Sequence, residues 1–512
     1  MGWMHRIRVA FGRDSVHVRD LTDIIGTLHG ERTLVRVHHA CLLPFLEGTE
    51  WSGRSIQRSA LRMANALRQR PVNLQVGDTV AVLVENHMSL LPICLAIWRA
   101  GGIVVPLNDK LKPAEVAHIL ENSGARVVIG SSATLQTNVD DRSLHKKVKT
   151  WMQTDASPID DGVMSLGRLV ADCGEPDPDE EAIRDMADVV AVFYTSGTTG
   201  KPKGAMITAD GLSSVLSRAA LLDSRILGPD SLAFCALPLA HMYGFSAALV
   251  AMISGTPFYH MSRFEEQAVL DVVEQESVRL FIGVPTMYRM LLEAGAEQRD
   301  LSSVGLWISA ADVVSPDIVA RFKQMGASLK LGPLRIPALF AEGYGMVETS
   351  GVVLGGVSLP GMKRERGFVG FPLPGVQTRI VNEHGSDVAL GEVGELCIQS
   401  PGVLKGYLGA QEATRKAVRD GWLYTGDMVR RGPMGMVEFL NRSHDRMKVG
   451  GYSVFPAEIE ACLCEHDAVE AAYVFGEAHP KAGQVPVAVI VPTQGVSIAG
   501  DDLVAWATQR MA

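Results

Sequence analysis

The segment 194–206, reading Tyr-Thr-Ser-Gly-Thr-Thr-Gly-Lys-Pro-Lys-Gly-Ala-Met, constrains this chain more than any other stretch. It carries three glycines, four aliphatic hydroxyls and two lysines, and it follows the apolar run Val-Val-Ala-Val-Phe at 189–193. That order predicts a buried strand running into a flexible loop rich in hydrogen-bond donors. Glycines let successive backbone N–H groups turn toward one anion, and Thr195, Ser196, Thr198 and Thr199 add hydroxyls. Lys201 and Lys203 supply positive charge. A polyphosphate is the ligand such a loop suits. The pattern is not Gly-x4-Gly-Lys-Ser/Thr, because Gly197 and Gly200 are too close together and Pro202 follows Lys201.

The elements around the loop indicate how it is held. From 55 the pattern reads as an amphipathic helix to 70, then strand 79–84, helix 89–100, strand 103–107, helix 113–123 and strand 125–129. Apolar strands alternating with helices of about ten residues predict a parallel sheet covered on both faces. A polar, acidic stretch at 174–181 reads as loop, and the alternation resumes after Asp188. Before Trp51 little pattern is readable. From about 367 short strands with Gly and Pro punctuation, such as 378–381 and 394–399, predict a smaller β-rich subdomain. After Asn441 a third unit begins, with a charged loop, a helix from Pro456 and strands at 471–476 and 485–491. The expected fold class is therefore α/β: a large amino-terminal region, 1–441, with parallel sheets and a β subdomain, and a small mobile α+β domain, 442–512.

Composition narrows the partners. The 512 residues are 47% hydrophobic, enough for more than one well-buried core. A formal net charge of −9 argues against nucleic acid as the main partner, so the lysines of the loop act locally. Seven scattered cysteines read as reduced thiols rather than a disulfide framework. Helical spacing puts Cys462 and His466 on one face and Cys464 off it, which is a poor zinc arrangement. No run reaches the ~18 apolar residues that cross a bilayer; the longest candidate, 247–258, is broken by Ser254, Gly255 and Pro257. The first ~20 residues lack the apolar core of a secretory signal. The expected location is the cytoplasm, with peripheral membrane contact left open.

Further segments carry chemistry-bearing residues in a fixed order: Leu-Pro-Leu-Ala-His-Met-Tyr-Gly at 237–244, Val-Pro-Thr at 284–286, Ser-Ala-Ala at 309–311, Glu-Gly-Tyr-Gly-Met-Val-Glu-Thr at 342–349, Tyr-Thr-Gly-Asp at 424–427 and Lys-Val-Gly-Gly-Tyr at 448–452. Together with the loop, they resemble the adenylate-forming superfamily of acyl-CoA synthetases, luciferases and peptide-synthetase adenylation domains, most nearly a bacterial fatty acyl-CoA ligase. The resemblance covers roughly 50–512 and implies two half-reactions. A carboxylate attacks the α-phosphorus of Mg-ATP to give acyl-AMP and pyrophosphate, and a thiol then displaces AMP. ATP, Mg²⁺ and coenzyme A are the implied partners, besides the acid itself.

What the resemblance implies for single residues is as follows. Thr195, Ser196, Gly197, Thr198, Thr199, Gly200 and Lys201 hold the phosphates. His241, Tyr243, Phe245 and Val284 border the acyl group, with His241 beside the carboxylate. Ser309, Ala310, Ala311, Glu342, Gly343 and Tyr344 surround the adenine, and Ala310 stands where glycine is usual. Glu348 helps hold magnesium, which prefers carboxylate oxygen. Val347 occupies a position usually taken by threonine and cannot bond the α-phosphate. Asp427 and Arg442 clamp the ribose. His444 is the hinge of the carboxy-terminal domain, and Lys448 belongs to the loop that serves the thioester step. A Gly-Lys pair expected near the carboxyl end does not appear before Ala512, which implies a truncated domain and weak adenylation.

Relatives that activate amino acids place an aspartate near His241 to pair with the amine. Leu239, Ala240, Met242, Phe245 and Ala247 offer no acid, so a plain carboxylic acid is expected, a fatty acid first. Aryl acids, a carrier-protein acceptor in place of CoA, and an impaired nucleotide- or acyl-binding protein are the alternatives.

Overall fold

The strand–helix alternation expected from 79 onward builds a sheet whose order, by residue range, is Gly406–Tyr407, Lys203–Thr208, Val189–Thr195, Ile103–Pro106, Thr79–Leu83, Val127–Gly130, Thr150–Gln153 and Val163–Ser165. The computed structural model describes residues 17–40, 43, 46, 48–139, 142, 146–155, 162–173, 189–195, 202–217, 231–331, 334–359, 367–432, 435–442, 447–449, 452–454, 456–479, 483–493, 495–508 and 510. The acidic stretch at 174–181 lies outside them. The strands from Val189–Thr195 to Val163–Ser165 are parallel. The helices Leu90–Arg99 and Pro113–Ser123 connect them. Leu90–Arg99 is buried on every side, which explains its run of apolar residues without a polar face.

A second sheet in the same unit runs Gly351–Ser358, Leu339–Met346, Leu306–Ala310, Leu280–Gly283, Ala233–Cys235, Phe258–His260, Thr33–Val37 and Glu50–Ser52. Its middle strands are parallel. One face packs on an aromatic core of Phe234, Phe281, Tyr288, Trp307, Phe322 and Phe340, each fully buried. The Tyr288 hydroxyl is satisfied there by Ile308 O at 2.7 Å. The described part of the unpatterned amino-terminal region contains regular elements. Helix Leu21–His29 packs on helix Gly53–Arg68, and Thr33–Val37 pairs in parallel with Phe258–His260.

By contacts the chain divides into two units. One comprises Met1–Met362, Pro372–Gln377 and Gln399–Val418, and the other Lys363–Phe371, Thr378–Ile398 and Arg419–Ala512. The second unit contains the short antiparallel strands expected after 367, among them Gln377–Val381, Val393–Gln399, Trp422–Arg431 and Val437–Arg442. It also contains the helix Pro456–Leu463 and the long hairpin Val469–His479 with Gly483–Pro492. That helix ends at Leu463, so the shared face expected for Cys462 and His466 does not form. His466 instead accepts the Ala468 N–H at Nδ1 and meets the Trp506 ring edge-on. Among the described residues no group of three metal-binding side chains exists, and no helix is long and apolar enough to cross a membrane.

Candidate active site

The strand Val189–Thr195 returns antiparallel as Lys203–Thr208, with Thr195 opposite Lys203. Ser196, Gly197, Thr198, Thr199, Gly200 and Lys201 lie outside the described residues, between these two ends. Lys203 differs from expectation. It opens the return strand, and its Nζ stands 5.7 Å from the centroid of the Tyr407 ring. Tyr407 comes from the edge strand Gly406–Tyr407, opposite Ala205. Its hydroxyl donates to Glu348 Oε1 at 2.8 Å. Burial, and then the negative charge of Glu348, hold the phenol above its ordinary pKa, so it stays a donor.

Glu348 sits on the tight turn Val347–Thr349 between two antiparallel strands. Thr349 fixes this turn: its Oγ1 accepts the Met346 N–H at 3.0 Å and donates to Gly351 O at 2.7 Å. Leu404 N–H bonds the Glu348 carbonyl at 2.8 Å. Gly345 is required where the strands cross, since a Cβ there would lie 2.2 Å from Gly351 O. Val347 is half-buried in the same turn and accepts the Ser350 N–H at its carbonyl.

The residues expected around the adenine meet through sheet register. Leu306–Ala310 and Leu339–Met346 are parallel neighbours, with Ser309 opposite Glu342 and Ala310 opposite Gly343. The backbone irregularity falls one residue beyond Ala310, at Ala311, whose φ is 76°. In the second unit, Asp427 is the direct register partner of Arg442. Asp427 is buried. Lys448 lies on the strand Met447–Val449, opposite Ser453, and His444 is outside the described residues.

His241 is the N-cap residue of the helix Met242–Ser254. Surrounding protein desolvates its ring and lowers its pKa, which favours a neutral imidazole. Asn108, unmarked in the sequence, places its Nδ2 3.2 Å from His241 Nε2. Asn108 Oδ1 already accepts the Lys110 N–H at 2.9 Å, so the amide group that faces the ring is the NH₂. Nε2 is then the acceptor and Nδ1 carries the proton.

One face of the same helix, Tyr243, Ser246, Ala247, Val250, Ala251 and Ser254, roofs a slot of about 240 Å³. Ala233, Leu280, Ile282, Ile308 and Val352 form its floor on the sheet. Small side chains at a spacing of three and four residues keep roof and floor apart. Tyr243 lines this slot and donates its hydroxyl to Gly283 O at 3.3 Å. Phe245 does not. It is fully buried on another face of the helix, edge-on to Phe193 at 5.2 Å and Trp98 at 6.0 Å. Val284 caps the helix Pro285–Glu293 and also stands outside the slot lining.

A fixed carboxylate, a neutral histidine and an apolar slot fit activation of a carboxylic acid by a nucleotide. The model of the AMP-binding enzyme family matches residues 31–408, and that of the AMP-binding enzyme C-terminal domain matches 458–512. A feruloyl-CoA synthase from Amycolatopsis sp is 33% identical over 473 residues, covering 91% of this chain and 88% of its own length. The 4-coumarate–CoA ligase 1 of Oryza sativa subsp. japonica is 29% identical over 489 residues, covering 90% and 82%. Among solved structures, ATP-bound MatB from Rhodopseudomonas palustris superposes with a TM-score of 0.80 at 27% identity, over 97% of this chain and 93% of that one. The o-succinylbenzoate CoA synthetase MenE of Bacillus subtilis, holding its acyl-adenylate, gives 0.77 at 25%, over 98% and 93%.

Proposed function

The chain belongs to the AMP-binding enzyme family, and from that premise we propose that it activates an aromatic carboxylic acid of the hydroxycinnamate kind and transfers the acyl group to coenzyme A. It is an AMP-forming acid–thiol ligase, with ATP, Mg²⁺ and CoA as its reaction partners. The observation that carries the aromatic reading is the slot: about 240 Å³, mostly apolar and lined by alanine, valine, leucine and isoleucine between a helix and the sheet. A planar ring fills that shape well. Relatives named for feruloyl and coumarate substrates support the same choice. The fatty acid expected from the sequence rested on the absence of an acidic partner near His241, a property that an aromatic acid shares.

In the first half-reaction a carboxylate oxygen bonds to the α-phosphorus and the bond to pyrophosphate breaks. In the second, the thiol sulfur bonds to the acyl carbon, its proton leaves to solvent, and AMP departs. The protein's part is positioning and charge stabilisation. The loop from Thr195 to Lys201 would cradle the phosphates, with Lys201 meeting the charge that develops on the leaving pyrophosphate. Neutral His241 would line the carboxylate's path without trapping it in an ion pair. Asp427 would accept the ribose hydroxyls, with Arg442 beside it on the next strand. Lys448 and the residues that follow it would serve the thioester step.

Magnesium fits this donor set. It binds through one or two carboxylates and completes its shell with phosphate oxygens and water. Glu348 offers one fixed carboxylate, and the described residues hold no larger metal cluster that would compete. Bound there, the ion would neutralise phosphate charge. A panel of hydroxycinnamates, benzoates and linear acids, scored for acid-dependent pyrophosphate release and for thioester, tests the substrate class.

A further inference from the structure

His241 ends a short connection, 236–240, that joins the strand Ala233–Cys235 to the helix Met242–Ser254. The path of this connection decides where the imidazole stands, and side chains from the other large sheet of the same unit hold it. Two strands of that sheet, Thr79–Leu83 and Ile103–Pro106, are parallel neighbours, with Val82 opposite Pro106. Just past their carboxyl ends each strand is followed by an asparagine, Asn86 and Asn108. Asn108 meets the ring of His241. Asn86 meets the backbone that leads to it.

The Asn86 carboxamide is fully used. Its Oδ1 accepts the Leu239 N–H at 2.9 Å, and its Nδ2 donates to Ser262 O at 3.0 Å and to Leu237 O at 3.4 Å. Leu237 and Ser262 each lie two residues beyond adjacent parallel strands, Ala233–Cys235 and Phe258–His260. One side chain thus bridges the ends of two strands and grips the connection on both sides of Pro238. Leu237 O also accepts from His260 Nε2 at 3.3 Å, whereas Leu239, two residues before His241, is bonded through Asn86. From there the chain turns tightly. The His241 N–H bonds Pro238 O at 3.2 Å, and a Cβ at Gly244 would lie 2.5 Å from the same carbonyl. A turn packed so closely on the first turn of the helix passes a shift at Leu239 on to His241.

Most side-chain hydrogen bonds go to backbone, and an asparagine in a loop is commonly a structural tie. Asn86 differs in what it ties: the segment that carries His241, whose ring is held by the asparagine after the adjacent strand. We propose that Asn86 is a positioning residue for adenylation, setting the backbone at Leu237 and Leu239 so that the His241 ring meets Asn108 and faces the incoming carboxylate. The inference rests on the reading that His241 lines the path of the acid.

The test is a double-substitution cycle of Asn86→Ala and His241→Ala, read by acid-dependent pyrophosphate release with whichever acid turns over best. Asn86→Ala should lower kcat by about tenfold to a hundredfold and leave the KM for ATP unchanged. In the His241→Ala background the same substitution should cost no more than about twofold, because the ring it positions is gone. Asn86→Asp keeps the acceptor for the Leu239 N–H and should retain more activity than Asn86→Ala. NMR of the imidazole nitrogens supplies a readout free of turnover: wild type should hold His241 in one tautomer, with the proton on Nδ1, and Asn86→Ala should mix the two. Should Asn86→Ala fold poorly on chemical denaturation, Asn86→Asp takes its place in the cycle and in the spectra. A folded Asn86 variant with wild-type kcat overturns the proposal, as do losses that multiply in the double variant or a His241 tautomer that stays unmixed. A loss in Asn86→Ala with none in His241→Ala overturns it together with the role of His241. If no acid is turned over, the reading of function fails and the tautomer still decides the role of Asn86.

Discussion

The side-chain amide of Asn108 lies 3.2 Å from Nε2 of His241 and donates to it. This bond fixes the tautomer, and desolvation by the surrounding protein lowers the pKa of the ring, so His241 is neutral at physiological pH. An imidazolium would bind the incoming carboxylate as an ion pair and blunt its attack. In the proposed reaction Asn108 would act through the ring it holds.

Asn108→Asp should therefore reverse both effects. A carboxylate there requires Nε2 to carry the proton and raises the pKa of His241 through charge. The acid limb of the pH dependence of kcat/KM should move upward, and activity near pH 6 should fall about tenfold. Activity at high pH should suffer less. An unchanged pH profile would mean that His241 does not titrate in the adenylation step.

The Tyr407–Glu348 bond makes a second, separable prediction. Tyr407→Phe keeps the ring under Lys203 and removes only the hydroxyl that anchors Oε1. Losing one hydrogen bond to a carboxylate should lower adenylation about three- to tenfold. The Mg²⁺ concentration giving half-maximal rate should rise as well. A rate loss with unaltered Mg²⁺ dependence would place Tyr407 in packing alone.

Phe245 and Ala247 stand two residues apart on one helix and should fail in different ways. Phe245→Ala empties a core site against Phe193 and Trp98 and should cost about 3–5 kcal/mol of stability. The ranking of acids should survive it. Ala247→Leu fills the slot instead, and should cut kcat/KM for ring-bearing acids by about a hundredfold or more with little change in the KM for ATP. Chemical denaturation and a two-acid comparison separate the outcomes.

Acid stability should be governed in part by His260. Its ring is fully buried, desolvation pushes its pKa down to about 3, and Nε2 meets Leu237 O at 3.3 Å. Unfolding restores the ordinary value of 6.5, so the unfolded chain binds a proton that the folded chain refuses between these two values. The contribution is fully present above pH 6.5 and is lost as pH falls, by up to about 1.4 kcal/mol per pH unit. His260→Asn should flatten the pH dependence of the denaturation midpoint in that window, whatever it does to the midpoint at pH 7.

Much of this arrangement was legible in the sequence, and the gaps have physical causes. The strands between 79 and 129 are buried on both faces, so each is a continuous apolar run that needs no partner to be seen. Thr33–Val37 was not legible, because its partner Phe258–His260 lies more than 200 residues away. Lys203 looked like part of the loop because Pro202 and Gly204 flank it, and only the pairing with Thr195 shows that the return strand has begun. Phe245 looked like pocket because it stands near His241, but a rotation of about 100° per residue turns it from the face that carries Tyr243 and Ala247. The signal that would have found the slot is the run of small residues at 246, 247, 250, 251 and 254. Asn108 and Tyr407 carried no local mark at all, since their roles come from chains folded beside them.

We propose that this chain joins an aromatic acid to coenzyme A through an acyl-adenylate. Acid-dependent pyrophosphate release, followed in the same reaction by acyl-CoA, measures it most directly when hydroxycinnamates are set against linear fatty acids at equal concentration. Hydroxycinnamates should support both pyrophosphate and thioester at a kcat/KM above that of any linear acid. Turnover confined to linear fatty acids, with hydroxycinnamates inert in both half-reactions, would contradict it.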